Sequence, residues 1–489
     1  MFASAAVALA SPAANALELP SIGDPFATQK KIAPYGTELK PAHCPEAPDT
    51  SKPLALNDVV IATICHNPDS RAAYLSLLSS ADNYDVTITS FLPDVTASAT
   101  GSDTSVRTEG SKSGISKSSS LSASAGMVLY DFGRREATLD IAERTLVAAG
   151  LSYDSTLQGF IASSLQGYFQ VLTAQNSLKI AEETLELAKA TLDASQIRYE
   201  LGLVPLSDSL QAQTNYTQSE LNLQQADNTL ALARASLAQL MGFAPLTDLT
   251  VDELSDATLL VAPFDKELPA LIEKAKAQRV DLQSRRLQLE NAKDSLENTK
   301  RRALPTISAN AGSSFSDWDV LNNDNLRTDS IGVSVTVPIF TGFSNIFSER
   351  SQRKQLEAQE LQLTQSERNV EQDVLRSWQN YSTARKSFET SKASLSVARQ
   401  LKDVTLGRYK EGLGSILDVL NALVSYRNSL QNNLTSRFNL LSTRVDLVRA
   451  VGELDLNTVE PETADFPPLA NVVVYQDPLL KKEPAHENP

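Results

Sequence analysis

Two rhythms of hydrophobic and polar residues alternate along the chain, and each occurs twice. The first has period two. Val95, Ala97 and Ala99 alternate with Thr96, Ser98 and Thr100. After a Ser/Gly/Lys loop, Leu121, Ala123, Ala125, Met127 and Leu129 alternate with Ser122, Ser124, Gly126 and Val128. Leu304-Pro305 then precedes Ile307, Ala309 and Ala311, and beyond a polar loop come Ile331, Val333, Val335 and Val337. Period two with one mainly polar face predicts four β-strands. Each spans about 10 residues, the length at which a tilted strand crosses a bilayer. Alternation by itself fits a pair of soluble hairpins equally well.

The second rhythm is helical. Leu157, Val171, Leu178, Leu185, Leu192 and Tyr199 lie on one seven-residue ladder, with Ser164 on the remaining step. Ala181, Ala188 and Ser195 each follow a Leu by three residues. This is a heptad seam with one large and one small position. It predicts a helix from Arg134 to Ile197, interrupted only by Gly150, Gly159 and Gly167, and a matching one from about Ser344 to Gly407. An earlier helix is expected from Leu56 to Phe91, capped by Asn57 and bent at Pro68.

Both long helices run into the same motif. Arg198-Tyr199-Glu200-Leu201-Gly202-Leu203, followed by Asp208, returns as Arg408-Tyr409-Lys410-Glu411-Gly412-Leu413, followed by Asp418. The offset of 210 from Arg198 to Arg408 also pairs Tyr216 with Tyr426, Ala188 with Ala398 and Gly242 with Gly452. Gly accepts positive φ and stops a helix, so each motif reads as a hairpin tip. Pro93 and Pro305 are 212 apart, so the strand region has slipped by two residues.

Lengths decide how these pieces stack. Residues 134–197 would make about 96 Å of helix at 1.5 Å per residue. The stretches 56–91 and 206–242 are each too short to line it alone, but end to end they can. The chain thus divides into residues 1–16, a Pro-rich segment 17–53, a first repeat 54–242, a linker 243–265, a second repeat 266–452 and a tail 453–489. The expected fold is mainly α, with duplicated strand hairpins and long coiled-coil helices.

Composition narrows the function. The 489 residues carry a net charge of -15 and no basic block, which argues against a nucleic-acid partner. Three His and two Cys leave little for metal or nucleophilic chemistry, and no catalytic motif occurs, so no enzyme and no cofactor are expected. Phe2 to Ala10 is apolar apart from Ser4, and Ala14-Asn15-Ala16 fits a signal-peptidase site. The other reading of residues 1–16 is an Ala-rich tail. With export, small and polar residues on one strand face favour a transmembrane barrel. Four strands cannot close one, and open edges are not viable in lipid. Three copies would supply an even, well-sized barrel and close the helices into a tube.

These features resemble the TolC family of outer-membrane export ducts. The matching pieces are Leu54-Ala55-Leu56-Asn57-Asp58-Val59-Val60 with Asn67-Pro68, Phe91-Leu92-Pro93, Leu129-Tyr130-Asp131-Phe132-Gly133-Arg134, the two tips, and Val337-Pro338-Ile339-Phe340-Thr341-Gly342. The resemblance implies a homotrimer in outer-membrane lipid, with a twelve-stranded barrel continued by a periplasmic α-helical tunnel. It implies as partners a periplasmic adaptor and an inner-membrane ABC or proton-driven transporter. Many drug-efflux members carry a lipidated Cys directly after the signal, whereas here Leu17 follows Ala16. Cys44 and Ile64-Cys65-His66-Asn67-Pro68 look more like the type I secretion branch. A periplasmic coiled-coil adaptor or scaffold is the alternative.

The same resemblance points to site residues. The position matching Asp418 lines a carboxylate ring at the pore's narrow end, although the usual second acid is Asn421 here. Asp208 would join it. An Asp in such a turn is equally a helix cap. Asp208 and Tyr409 match positions that hold a closed tip, and a basic residue that assists is replaced by Gly414. Arg198, Gly202, Leu203, Arg408, Gly412 and Leu413 form the surface for adaptor docking, and the two Arg also suit helix C-termini. His66 beside Cys65 hints at a metal, against a capping or surface role. In an oxidising periplasm the even Cys count pairs Cys44 with Cys65.

Overall fold

The computed structural model describes residues 24–28, 44, 47–106, 114–253, 267–319 and 326–454. Residues 1–16, most of the Pro-rich segment and nearly all of the tail lie outside that range.

The chain builds the same unit twice. Helices α1 (Leu56–His66) and α2 (Pro68–Thr89) lead into β1 (Asp94–Val106) and β2 (Gly114–Tyr130). The long α3 (Arg134–Glu200) and α4 (Leu206–Leu240) follow. The second unit comprises α5 (Leu268–Gln278), α6 (Val280–Arg301), β3 (Thr306–Asp319), β4 (Leu326–Thr336), α7 (Ser344–Lys410) and α8 (Ile416–Val451). The copies agree almost residue for residue: α3 and α7 both have 67 residues. Likewise α1 and α5 both have 11, and α2 and α6 both have 22.

The expected single helix over 56–91 is two helices. Pro68 restricts the residue before it to extended backbone, and Asn67 sits at φ -68°, ψ 126°. The Asn67 side chain then caps α2 by accepting from Asp69 N at 2.7 Å. Asn57 is not a cap, because it lies inside α1. There the Asp58 carboxylate accepts from Ala55 N at 3.2 Å. The strands also run longer than expected, with 13, 17, 14 and 11 residues.

The four strands form one antiparallel sheet in the order β1-β2-β3-β4. Its two faces differ sharply. Val95, Ala125, Ala311 and Ile331 lie in register across one face, and Met127, Ala309 and Val333 form the next row. On that face Ile331 is 90% exposed and Val95 74%. The opposite face carries a column of paired hydroxyls, Thr96–Ser124, Ser98–Ser122, Thr100–Ser120 and Ser102–Ser118, at 2.6–2.9 Å. An apolar face bare of protein and a hydroxyl face are the two sides of a barrel wall.

The helices form a layer in matching order. Above the equator α2 packs on α3, α3 on α6 and α6 on α7. Below it the order is α4, α3, α8, α7. Thus α1, α2 and α4 together line the single α3, as the lengths require. Small residues set the approach: Ala181, Ala188 and Ser195 are buried at seven-residue intervals. The ladder's last rung, Tyr199, is exposed instead. At the equator Leu54 N donates to Thr250 O at 2.8 Å and Asp252 N to Leu54 O at 3.0 Å. The buried Tyr168 hydroxyl donates to Asp252 O at 2.7 Å, tying α3 to this bridge.

Candidate functional site

The two hairpin tips share one backbone solution. Leu203 N donates to Arg198 O at 2.9 Å and Gly202 N to Tyr199 O at 2.9 Å. In the second tip Leu413 N donates to Arg408 O at 2.8 Å and Gly412 N to Tyr409 O at 3.1 Å. This double closure needs a left-handed residue, and Gly202 (φ 70°) and Gly412 (φ 74°) supply it. The next residues project outward: Leu203 and Leu413 are among the most exposed large apolar side chains. Arg198 and Arg408 sit in the last turn of α3 and α7, where a cation complements the helix dipole.

Beyond the turn the tips diverge. Ser415 caps α8: its hydroxyl accepts from Asp418 N at 3.2 Å, while Asp418 accepts from Ser415 N at 3.3 Å. This reciprocal pair is a capping box, so Asp418 is a cap within one chain, with its carboxylate still exposed. Pro205 occupies the corresponding place before α4 and has neither N–H nor hydroxyl. Asp208 therefore takes no part in a box, and among the described residues its carboxylate receives only a 3.3 Å bond from Ser207 Oγ.

Tyr409 is buried with Ile416, Val419, Leu420 and Leu423, and Leu187 of α3 packs against them. The Arg198 guanidinium lies 4.5 Å from the centre of its ring. The Tyr409 hydroxyl is buried without a hydrogen-bond partner among the described residues. The expected link between Tyr409 and Asp208 is thus not made inside one chain. The Arg198 stack was invisible in the sequence, because residues 211 positions apart meet only once the hairpins lie side by side.

At the equator, Cys44 and Cys65 form a disulfide with Cα atoms 5.6 Å apart. Thr28 is buried and its hydroxyl donates to Asp85 on α2. Among the described residues no group of three or more His, Cys, Asp or Glu side chains gathers around His66, and its side chain caps no helix. Its ring lies 5.9 Å from that of Phe243, and Gly242 packs against its carbonyl.

The sequence pattern of the outer membrane efflux protein family matches residues 60–243 and 271–453. The chain belongs to that family. Each matched stretch contains one strand hairpin and one helical hairpin. The efflux-family chain is 25% identical to CyaE of Bordetella pertussis over 347 residues, covering 70% of this chain and 72% of that protein. Against TolC of Vibrio cholerae it is 28% identical over 222 residues, covering 42% and 47%. In shape it is similar to the Campylobacter jejuni CmeC outer membrane channel, with a TM-score of 0.71 at 17% identity, over 84% of this chain and 90% of that one. The likeness establishes the tunnel-and-barrel fold. The protein is an outer-membrane export protein whose helices extend into the periplasm.

Proposed function

We propose that three copies of the chain form a passive outer-membrane duct. A periplasmic adaptor docks at the tips, and an inner-membrane ABC or proton-driven transporter supplies the energy and hands over protein or small-molecule cargo. The observation that carries this reading is that both layers end in open edges on the same two sides. β1 and its helices α2 and α4 lie at one edge, β4 and its helix α7 at the other. Unpaired strand edges are not viable in lipid, so β4 of one copy pairs with β1 of the next until the ring closes. Cys44 and the Ile64–Pro68 stretch favour the protein-secretion branch.

In this reading Asp418 supplies a ring of exposed carboxylates that attracts cations. Asp208, freed from capping by Pro205, is the acceptor that the Tyr409 hydroxyl lacks, and closure of the tip brings the two together between hairpins. Gly202, Leu203, Gly412 and Leu413 present the adaptor-docking edge. The adaptor alternative is disfavoured, since the chain carries a bilayer-length sheet with one bare apolar face. The test is fractionation: the chain should appear in the outer membrane as a trimer band that heat converts to monomer. A monomer in the soluble periplasmic fraction would refute the reading.

A further inference from the structure

We propose that the stack of Arg198 on Tyr409 within a chain is repeated between chains, with Arg408 of one copy stacking on Tyr199 of the next. Arg–Tyr clasps would then alternate within and between chains around the tip. The inference rests on the threefold ring proposed above.

The offset of 210 carries Arg198 to Arg408 and Tyr199 to Tyr409. It also carries α3 onto α7 and α4 onto α8. Helix order below the equator is α4, α3, α8, α7, so ring closure places α4 and α3 of the next copy beyond α7. The contact between first and second hairpin is then followed by an equivalent contact between the second hairpin and the next copy's first.

Four of the groups in the observed contact have an apolar twin left exposed in the single chain. Leu187 packs on Tyr409, Ile416 and Leu420, which are 5%, 3% and 6% exposed. Their counterparts Val397, Tyr199, Leu206 and Leu210 are 66%, 42%, 50% and 58% exposed in the single chain. All are large apolar or aromatic residues left largely exposed by the described residues of one chain. The Arg408 side chain is exposed as well, and its one hydrogen bond among the described residues is a 3.4 Å contact to Leu413 O. A second copy fits both halves: it brings a tyrosine ring to the exposed arginine and a valine to the exposed leucines. The match is thinner than the contact within the chain, because Leu406, Val419 and Leu423 correspond to Gln196, Ser209 and Gln213. The seam between chains is therefore the weaker of the two and the one that parts when the tip opens.

Disulfide trapping tests the contact in the full chain. Val397→Cys with Leu206→Cys should cross-link neighbouring copies, up to a covalent trimer on non-reducing gels. Leu187→Cys with Ile416→Cys, the equivalent pair inside one chain, should leave the monomer mass unchanged. The natural Cys44 and Cys65 are already paired and do not compete. For the stack itself, Tyr199→Ala and Arg408→Ala should each shift the open-to-closed ratio by about 10- to 100-fold, if three exposed cation–π pairs are lost. The double variant should shift it no further, and Tyr199→Phe, which keeps the π face, should match the parent. If a heat-sensitive trimer forms but Val397→Cys and Leu206→Cys do not cross-link, or Tyr199→Phe behaves like Tyr199→Ala, the clasp is wrong and the ring stands. If no trimer forms with any variant or the parent, the ring falls and the clasp with it.

Discussion

Replacing Gly242 by Ala separates backbone strain from close packing, because the chain supplies its own control. Gly242 and Gly202 both have positive φ, 79° and 70°. For an L-residue the left-handed region costs roughly 1–2 kcal/mol. A Cβ at Gly202 meets nothing within 4 Å, so Gly202→Ala should cost only that. A Cβ at Gly242 would lie 2.3 Å from His66 O and 2.7 Å from His66 C. Those atoms belong to the end of α1 and cannot swing away like a side chain. The junction is also pinned by Asn67 Nδ2 donating to Leu240 O at 2.8 Å. Overpacking typically adds about 1–3 kcal/mol, so Gly242→Ala should cost about 2–5 kcal/mol in all. Urea unfolding followed by circular dichroism, at unchanged m-value, measures both variants. If Gly242→Ala is no more destabilising than Gly202→Ala, the end of α4 does not lock against the α1–α2 joint and the equatorial packing described here is wrong.

Three further outcomes are expected. Removing the Cys44–Cys65 bond, which closes a sequence separation of 21, should cost about 3 kcal/mol in the chain-entropy model; thiol labelling of the denatured, unreduced protein should find no free thiol. Asp418→Asn should lower cation selectivity in planar bilayers, whereas a mere cap would leave selectivity unchanged and lose only part of its capping bond. Asp446→Asn tests burial: desolvation raises the pKa of this half-buried carboxyl, against the opposing pull of Arg449 and a bond from Gln166. An acid with a raised folded pKa loses stability as pH rises through that range. The Asn variant should therefore melt higher than the parent at neutral pH, with the gain vanishing once the medium is acidic enough to protonate Asp446. A gain that persists in acid would show that packing, not charge, is responsible.

Much of the architecture was legible because it obeys two simple periods and a duplication. Alternation located the strands, and the heptad of Ala181, Ala188 and Ser195 located the seam of α3. The Gly202 and Gly412 turns were legible because few residues but Gly suit that backbone. What the sequence hides depends on distance along the chain. The Asn67 break reads as a bend because propensity does not show whether a Pro kinks one helix or starts a second. Tyr199 reads as a core rung, yet among the described residues of one chain it is left exposed, without the neighbouring hairpin that buries Tyr409. The division of labour between Asp208 and Asp418 turns on a single difference, Pro205 in place of Ser415, whose consequence appears only with the capping geometry.

The central claim is that copies of this chain join into one continuous pore through the outer membrane. Conductance of the purified, full-length protein in a planar bilayer tests it most directly. Discrete steps are expected that require the trimer band, favour cations and disappear when heat dissociates the trimer. A protein that stays monomeric, or inserts without conducting after the tip-opening substitutions Tyr409→Phe and Asp208→Ala, would contradict it.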